Sequence, residues 1–272
     1  MKRSLSGIFA ALLITSNAFA ADLAPEPVPE MPPEVVVTEA TGWYLRGDVG
    51  YGWPDLRGAS YFQGSNASEV DFQTADLRDA FTGGVGVGYQ VNNYFRTDLT
   101  LDYFGSADFH GSTVGSCGVA VACTSSDISS LTAWSLMANA YVDLGTYGYV
   151  TPYVGAGIGG TYVNWKGLRN TSCETGNSSN CDDTFTHDGK SSWRFSYALM
   201  AGATIDVTCN VKADVGYRFL HVDDGEMFGY NAGGGPGRDK GFNVHEARIG
   251  ARYLFGGCAA PYEPPPAPIV YK

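Results

Sequence analysis

Arg248-Ile249-Gly250-Ala251-Arg252-Tyr253-Leu254-Phe255 is the stretch whose reading decides the fold. In an extended segment successive side chains point to opposite faces. Ile249, Ala251, Tyr253 and Phe255 therefore share one face, and Arg248, Gly250, Arg252 and Leu254 share the other. One face is apolar and ends in two aromatics; the other is mostly polar. A strand of a secreted β-sandwich shows the same alternation, so the distinction rests on how often the pattern recurs and how its copies are joined.

It recurs seven more times. Working back from 248–255, Val211 to Leu220 sets Val211, Ala213, Val215, Tyr217 and Phe219 against Lys212, Asp214, Gly216 and Arg218. Ser192 to Val207 sets Phe195, Tyr197, Leu199, Ala201, Ala203 and Ile205 against Arg194, Ser196, Met200, Thr204 and Asp206. Tyr149 to Trp165, Trp134 to Leu144, Phe95 to Tyr103, Phe81 to Val91 and Gly42 to Trp53 alternate likewise. The connections alternate too. Asn92-Asn93, Gly145 to Gly148 and Thr208-Cys209-Asn210 are tight turns, whereas 54–80, 105–129, 166–191 and 221–241 read as long polar loops. A sandwich has no reason to keep every second connection short, but a membrane barrel does. Each strand reaches the ~9–11 tilted residues needed to cross a bilayer. The expected fold is all-β: an eight-stranded antiparallel transmembrane β-barrel with long extracellular loops. An even strand count puts both Pro-rich termini in the periplasm.

Composition agrees. Of the 272 residues 36 are Gly and 13% are aromatic, with a mean hydropathy of −0.10. Met1-Lys2-Arg3, an apolar run to about Thr15 and Ala18-Phe19-Ala20 form a basic n-region, an h-region and a cleavage site. Residues 1–20 read as a secretory signal peptide. The alternative, an N-terminal anchor, is disfavoured because the run falls short of the ~20 apolar residues of a spanning helix. Residues 21–42 are a Pro-rich acidic spacer without a core of its own, 43–255 the barrel, and 256–272 a second Pro-rich tail. The formal net charge of −11 argues against nucleic acid, whose phosphates require Lys and Arg.

All six cysteines follow the signal, which points to an oxidising compartment. Cys117 with Cys123 and Cys173 with Cys181 are close pairs, each inside one long loop. The strand order brings Cys209, in the turn before the seventh strand, near Cys258, just past the eighth. Three disulfides are expected on those pairings. Zinc is the rival reading, but no spacing is C-x-x-C and no His adjoins.

The polar faces carry many charges: Arg46, Asp48, Arg96, Asp98, Asp102, Arg194, Asp206, Lys212, Asp214, Arg218, Glu246, Arg248 and Arg252. An eight-stranded barrel has an interior just wide enough for side chains to fill, and buried charges must be paired. A structural ion-pair plug is expected; a narrow polar channel for small solutes is the alternative.

Gly42-Trp-Tyr-Leu-Arg-Gly-Asp-Val-Gly-Tyr51, Thr151-Pro-Tyr-Val-Gly-Ala-Gly-Ile-Gly159 and Gly216-Tyr-Arg-Phe-Leu220 resemble the small outer-membrane barrels of alphaproteobacteria. That is the opacity-protein-like, surface-antigen group of the OmpA-type transmembrane superfamily, and the resemblance covers about residues 42–255. It implies an abundant envelope protein without catalytic residues, set among outer-membrane lipid and lipopolysaccharide. Gly250, Tyr253 and Phe255 are similar to the last-strand signal read by the barrel-assembly machinery, although here residues 256–272 follow it. Some barrels of this kind are joined to peptidoglycan through the amine of a mature Ala-Asp terminus by L,D-transpeptidases. Ala21-Asp22 matches that start, so tethering is implied.

Other chemistry is weaker. His221 with Asp223 and Asp224 is the candidate catalytic cluster, but no nucleophile accompanies it at a telling spacing. Gly155-x-Gly157-x-x-Gly160 matches a dinucleotide fingerprint formally, yet lies inside a strand rather than at a strand-to-helix turn. The sequons at Asn66, Asn170 and Asn177 carry little weight. No cofactor is expected. The reading is a structural envelope barrel, not an enzyme; the alternatives are a narrow porin-like channel, or a surface adhesin or antigen acting through its loops.

Overall fold

The structure, a computed structural model, describes residues 41–63, 68–231 and 234–258. The expected signal peptide, most of the leader including Ala21 and Asp22, the tail from 259 and the Asn66 sequon lie outside them. Eight strands form a closed antiparallel ring: β1 (Gly42–Leu56), β2 (Ala80–Gln90), β3 (Phe95–Ser112), β4 (Cys123–Asp143), β5 (Val150–Trp165), β6 (Ser191–Asp206), β7 (Val211–Val222) and β8 (Phe242–Leu254). Each pairs with its sequence neighbours, and β8 closes on β1 from Tyr44↔Leu254 to Leu56↔Phe242. Closure removes sheet edges, which no bilayer can hydrate.

The alternation reads outward as predicted. Trp43, Leu45, Val49, Phe81, Val85, Leu99, Trp134, Leu136, Phe195, Leu199, Val215 and Ile249 are exposed, while Asp48, Arg96, Asp98, Asp102, Asp214, Arg218, Glu246 and Arg252 are buried. Aromatic pairs fringe the apolar band at both ends: Trp43 with Tyr89 and Tyr253 with Phe255 at one, Tyr51 with Phe81 and Tyr103 with Trp134 at the other. From Trp43 to Trp53 is ten residues, about 33 Å along a strand. At a tilt of about 40° that rises about 25 Å, the height of the lipid-facing band of an outer-membrane barrel.

Inside the ring, space is allocated residue by residue. Tyr44 and Tyr141 are both almost fully buried, and each lies where glycine faces it. A methyl group on Gly88 would run into the Tyr44 ring, and one on Gly155 into the Tyr141 ring.

The long connections differ from expectation. The segment 105–129, read as a loop, is mostly strand: β3 runs on to Ser112 and β4 begins at Cys123. The reason is a register shift between Phe104 and Ala107. Gly105 and Ser106 there stand opposite the single residue Thr132, one residue more than the partner strand, so the inward positions change parity, from Phe104 to Ala107 and Phe109, and the simple alternation breaks at Tyr103. The segment 166–191 holds strands Leu168–Glu174 and Phe185–His187, the first paired with the start of β4. The segments 54–80 and 221–241 contribute Ala59–Gln63, Ser68–Asp71, Gly225–Phe228 and Gly234–Asp239, which form a separate four-stranded sheet. Likewise β8 starts at Phe242, six residues before 248.

Above the outer aromatic fringe the polarity reverses. Along β4 the outward residues below the fringe are Trp134, Leu136, Ala138, Ala140 and Val142; above it they are Thr132, Ser130, Ile128, Ser126 and Thr124. The inward residues there include Leu131 and Ala133, which join Phe104, Phe109, Trp165, Leu168, Met227, Phe228 and Phe242 in one apolar cluster. The outer end is thus packed as a water-soluble domain is packed, apolar inside and polar outside. Trp165 sits at its centre, edge-on to Phe109 at 5.6 Å, and its indole N–H donates to Asp239 at 2.9 Å. Truncating Trp165 to alanine is expected to cost about 3–5 kcal/mol, read as a lowered urea midpoint of the micelle-folded protein. The lipid-facing Trp134→Ala should move it far less.

Asp127 lies in this outer end, 2% exposed. Burial pushes its carboxyl up, against hydrogen bonds from Ser125 and Asn170 that pull it down. A carboxyl raised on folding contributes stability below its unfolded pKa and loses it as pH rises through the folded value. Asp127→Asn should therefore raise the unfolding midpoint at pH 7, with the difference shrinking toward pH 4 in urea titrations at the two pH values.

Candidate functional site

The lumen is built from the inward face of all eight strands. Within the membrane band the central layer is a connected network. Arg46 grips Asp48 with two nitrogens, at 2.9 and 2.7 Å, and donates to Asp98 and the Tyr141 hydroxyl, each at 2.9 Å. Asp98 also accepts from Tyr44 at 3.1 Å and from Asn139 at 2.7 Å. Arg218 bridges Asp102 at 2.9 Å and Glu246 at 2.6 Å. Arg248 closes the layer on Asp102, and Thr82 donates to Glu246.

Below lies a second layer. Arg252 holds Asp214 at 2.8 Å and lies over the Tyr44 ring at 5.4 Å. Arg96 holds Asp143 at 3.1 Å, with its guanidinium 4.1 Å from the Tyr141 ring centre and 4.6 Å from that of Tyr153. Above, Arg194 holds Asp239 at 2.6 Å, in the apolar outer end. Lys212 and Asp206 pair at 2.6 Å with partly exposed side chains at the inner rim.

The predicted inward charges are thus brought together in layers rather than in one cluster. Among the described residues six arginines (46, 96, 194, 218, 248, 252) face seven carboxylates (48, 98, 102, 143, 214, 239 and Glu246). The void enclosed by Arg46, Asp48, Tyr141, Tyr153, Arg218 and Arg248 is about 20 Å³, room for about one water. Sequence reading missed Asp239 as a lumen partner, because it sat in a segment taken for a Gly-rich loop. It also missed Tyr44 and Tyr141 as the rings on which the arginines lie. Their parity placed them inward; no local pattern marks a stacking partner.

The cysteines are joined Cys117–Cys123, Cys173–Cys181 and Cys209–Cys258. Gly250 lies in β8 opposite Asp48 and Asp214, Tyr253 near the inner end of that strand and Phe255 just past it, with Tyr253 and Phe255 in edge contact on the outward face. His221 and Asp223 pair at 3.3 Å, and the imidazole packs over Tyr197. Asp224 instead pairs with Arg238 at 3.0 Å, so the three do not converge. The described residues contain no group of His, Cys, Asp and Glu arranged to hold a metal ion.

A second concavity lies at the outer end. The strand Ala59–Gln63, the β3–β4 connection and the strands Leu168–Glu174 and Phe185–His187 wall a polar cleft of about 460 Å³. Sequence reading gave no sign of it, since its walls come from three segments far apart in the chain.

Residues 8–255 match the family described as outer membrane protein beta-barrel domain. An uncharacterized protein of Brucella abortus (strain 2308) is 39% identical over 279 residues, covering 89% of this chain and 95% of its own. A candidate adhesin of Rickettsia bellii (strain OSU 85-389) is 29% identical over 219 residues, covering 78% and 87%. Among solved structures, the outer membrane protein OprG of Pseudomonas aeruginosa aligns over 80% of this chain and 98% of its own, at 13% identity and a TM-score of 0.49, too low to add weight to the strand ring itself. The ring, its lipid-facing band and the family match place the protein in the bacterial outer membrane, among its lipid and lipopolysaccharide. On the extent of the matched residues, the chain belongs to the outer membrane protein beta-barrel family.

Proposed function

We propose that this protein is a structural element of the cell envelope, a closed barrel that strengthens the outer membrane rather than conducting through it. The observation that carries this is the central layer of the lumen: its charges are mutually paired across the ring, and about 20 Å³ is left between them, below which the lumen widens to an inner-end cavity of about 210 Å³. A conduction path needs a continuous wet column; here each guanidinium occupies the space that a solute would need. The same reading takes Gly250, Tyr253 and Phe255 as the signal for the barrel-assembly machinery. It takes residues 1–20 as a signal peptide, and Ala21-Asp22 as the point of covalent attachment to peptidoglycan through an acidic Pro-rich spacer. Attachment is supported by the resemblance of that start to tethered barrels, and by both barrel ends lying at the Cys209–Cys258 side.

A second reading, contact with other surfaces, is favoured by the candidate-adhesin name of the Rickettsia relative and by the ordered sheet and cleft at the outer end. Loops held on a rigid scaffold are where recognition is placed.

Three measurements check these statements. In planar bilayers the purified protein should show no unitary conductance above leak; stable ion-selective steps would overturn the closed-lumen reading. Replacing Asp102 by alanine takes from Arg248 its short-range partner and leaves Arg218 with Glu246 alone, and removing one partner of a buried pair costs about 3–5 kcal/mol. The micelle-folded variant should lose that much urea stability. Lysozyme digestion of sacculi should release muropeptides bound to Ala21; a free amine on all recovered protein would end the tethering proposal.

A further inference from the structure

From the makeup of the outer cleft we infer that it is a binding site for neutral carbohydrate. The inference deepens the surface-contact reading and rests on it. Its walls come from the β3–β4 connection, the 168–185 hairpin and the strand Ala59–Gln63. The groups that face the space are hydroxyls and amides, among them Ser116, Ser172, Asn170 and Gln63, together with the rings of Tyr61 and Phe185.

Three features point to a sugar. Hydroxyls and amides both donate and accept, as sugar hydroxyls do, so each contact can be satisfied in either sense. Tyr61 and Phe185 supply apolar faces for the C–H side of a pyranose ring, and aromatic faces take up such surfaces readily. Among the described residues no lysine or arginine lines the cleft, and the one acid, Asp182, is held by the Gly118 N–H at 3.1 Å. A phosphorylated or sulfated ligand would find no countercharge there.

The volume of about 460 Å³ falls within the ~300–1,000 Å³ of small-ligand pockets, and is many times what one trapped water needs. The cleft is also held in shape. Cys117–Cys123 crosses one wall, and Cys173–Cys181 ties the hairpin forming another. The side chains themselves are fixed from behind: Asn170 donates to Asp127 at 2.6 Å, Gln63 to the Tyr61 hydroxyl at 3.2 Å, and Thr113 and Ser125 are bonded to each other at 2.8 Å. Polar groups already fixed lose little freedom on binding. Both staples lie at the end where this cleft is, and a role in recognition gives them a purpose that barrel closure alone does not.

The test uses the full mature chain folded in detergent micelles, applied to an array of immobilised neutral oligosaccharides with sulfated and sialylated glycans alongside. Saturable binding to one or more neutral glycans is expected. Phe185→Ala should weaken it at least tenfold, and Ser116→Trp, which fills the cleft from an exposed position, should abolish it. Unchanged heat-modifiable gel mobility will show that both variants still fold. Mild reduction should weaken binding while the barrel persists. Binding confined to the sulfated or sialylated glycans, neutral binding untouched by either variant, or no glycan binding at all would each overturn the inference. Adherence of whole cells expressing the wild-type and Ser116→Trp proteins is scored separately. Adherence that survives the substitution would leave surface contact standing and remove the cleft from it.

Discussion

The structure depends on the pairing of buried charges across a closed ring. An arginine in the lumen of a narrow barrel has lost its water, and only a carboxylate at hydrogen-bond distance offsets that loss. Arg46 finds Asp48 and Asp98; Arg218 finds Asp102 and Glu246; Arg252 finds Asp214. Apart from Arg46 and Asp48, which share β1, these partners sit on different strands, so the pairings hold only in one register. A slip of a single residue between β7 and β8 would carry Arg248 and Arg252 into lipid and Ile249 and Tyr253 into the lumen. Backbone pairing closes the ring, and the ion pairs choose which of the possible rings it is.

The same logic explains why the molecule has two interiors. Within the membrane the outside must be apolar, so the polar residues go inward and pair. Beyond the outer aromatic fringe the outside is water, and the inward face can take Phe109, Leu131, Trp165 and Phe228. The strands run continuously through both regimes, β4 over 21 residues. Arg194 and Asp239 are the paired charge carried into the apolar end, where Asp239 also takes the Trp165 indole N–H.

Much of this was legible in the sequence, and the illegible parts have physical causes. The eight alternating runs and their short turns were readable because lipid on one face and a polar lumen on the other make the period of two strong. The extensions were not. Gly105-Ser106 shifts the parity of β3, and above Trp134 the outward face of β4 turns to Ser and Thr, so the hydrophobic pattern that identifies a strand fades where the strand continues. The inward direction of Arg46 or Arg218 followed from parity alone. Finding partners required the register of strands far apart in sequence, 146 residues for Arg248 and Asp102, and Asp239 required knowing that a Gly-rich segment folds into a sheet. The outer cleft, drawn from three distant segments, had no local trace.

The bond between Cys209 and Cys258 has a mechanical meaning. It joins the turn ahead of β7 to the chain just after β8. A pull on the polypeptide beyond that cysteine is therefore shared with the entrance to the neighbouring strand and is not borne by the final strand alone. A terminal strand loaded singly peels away one hydrogen bond at a time; two strands loaded together must shear, with many bonds resisting at once. The barrel is thus reinforced at the point where tension from the space beneath the membrane would enter it.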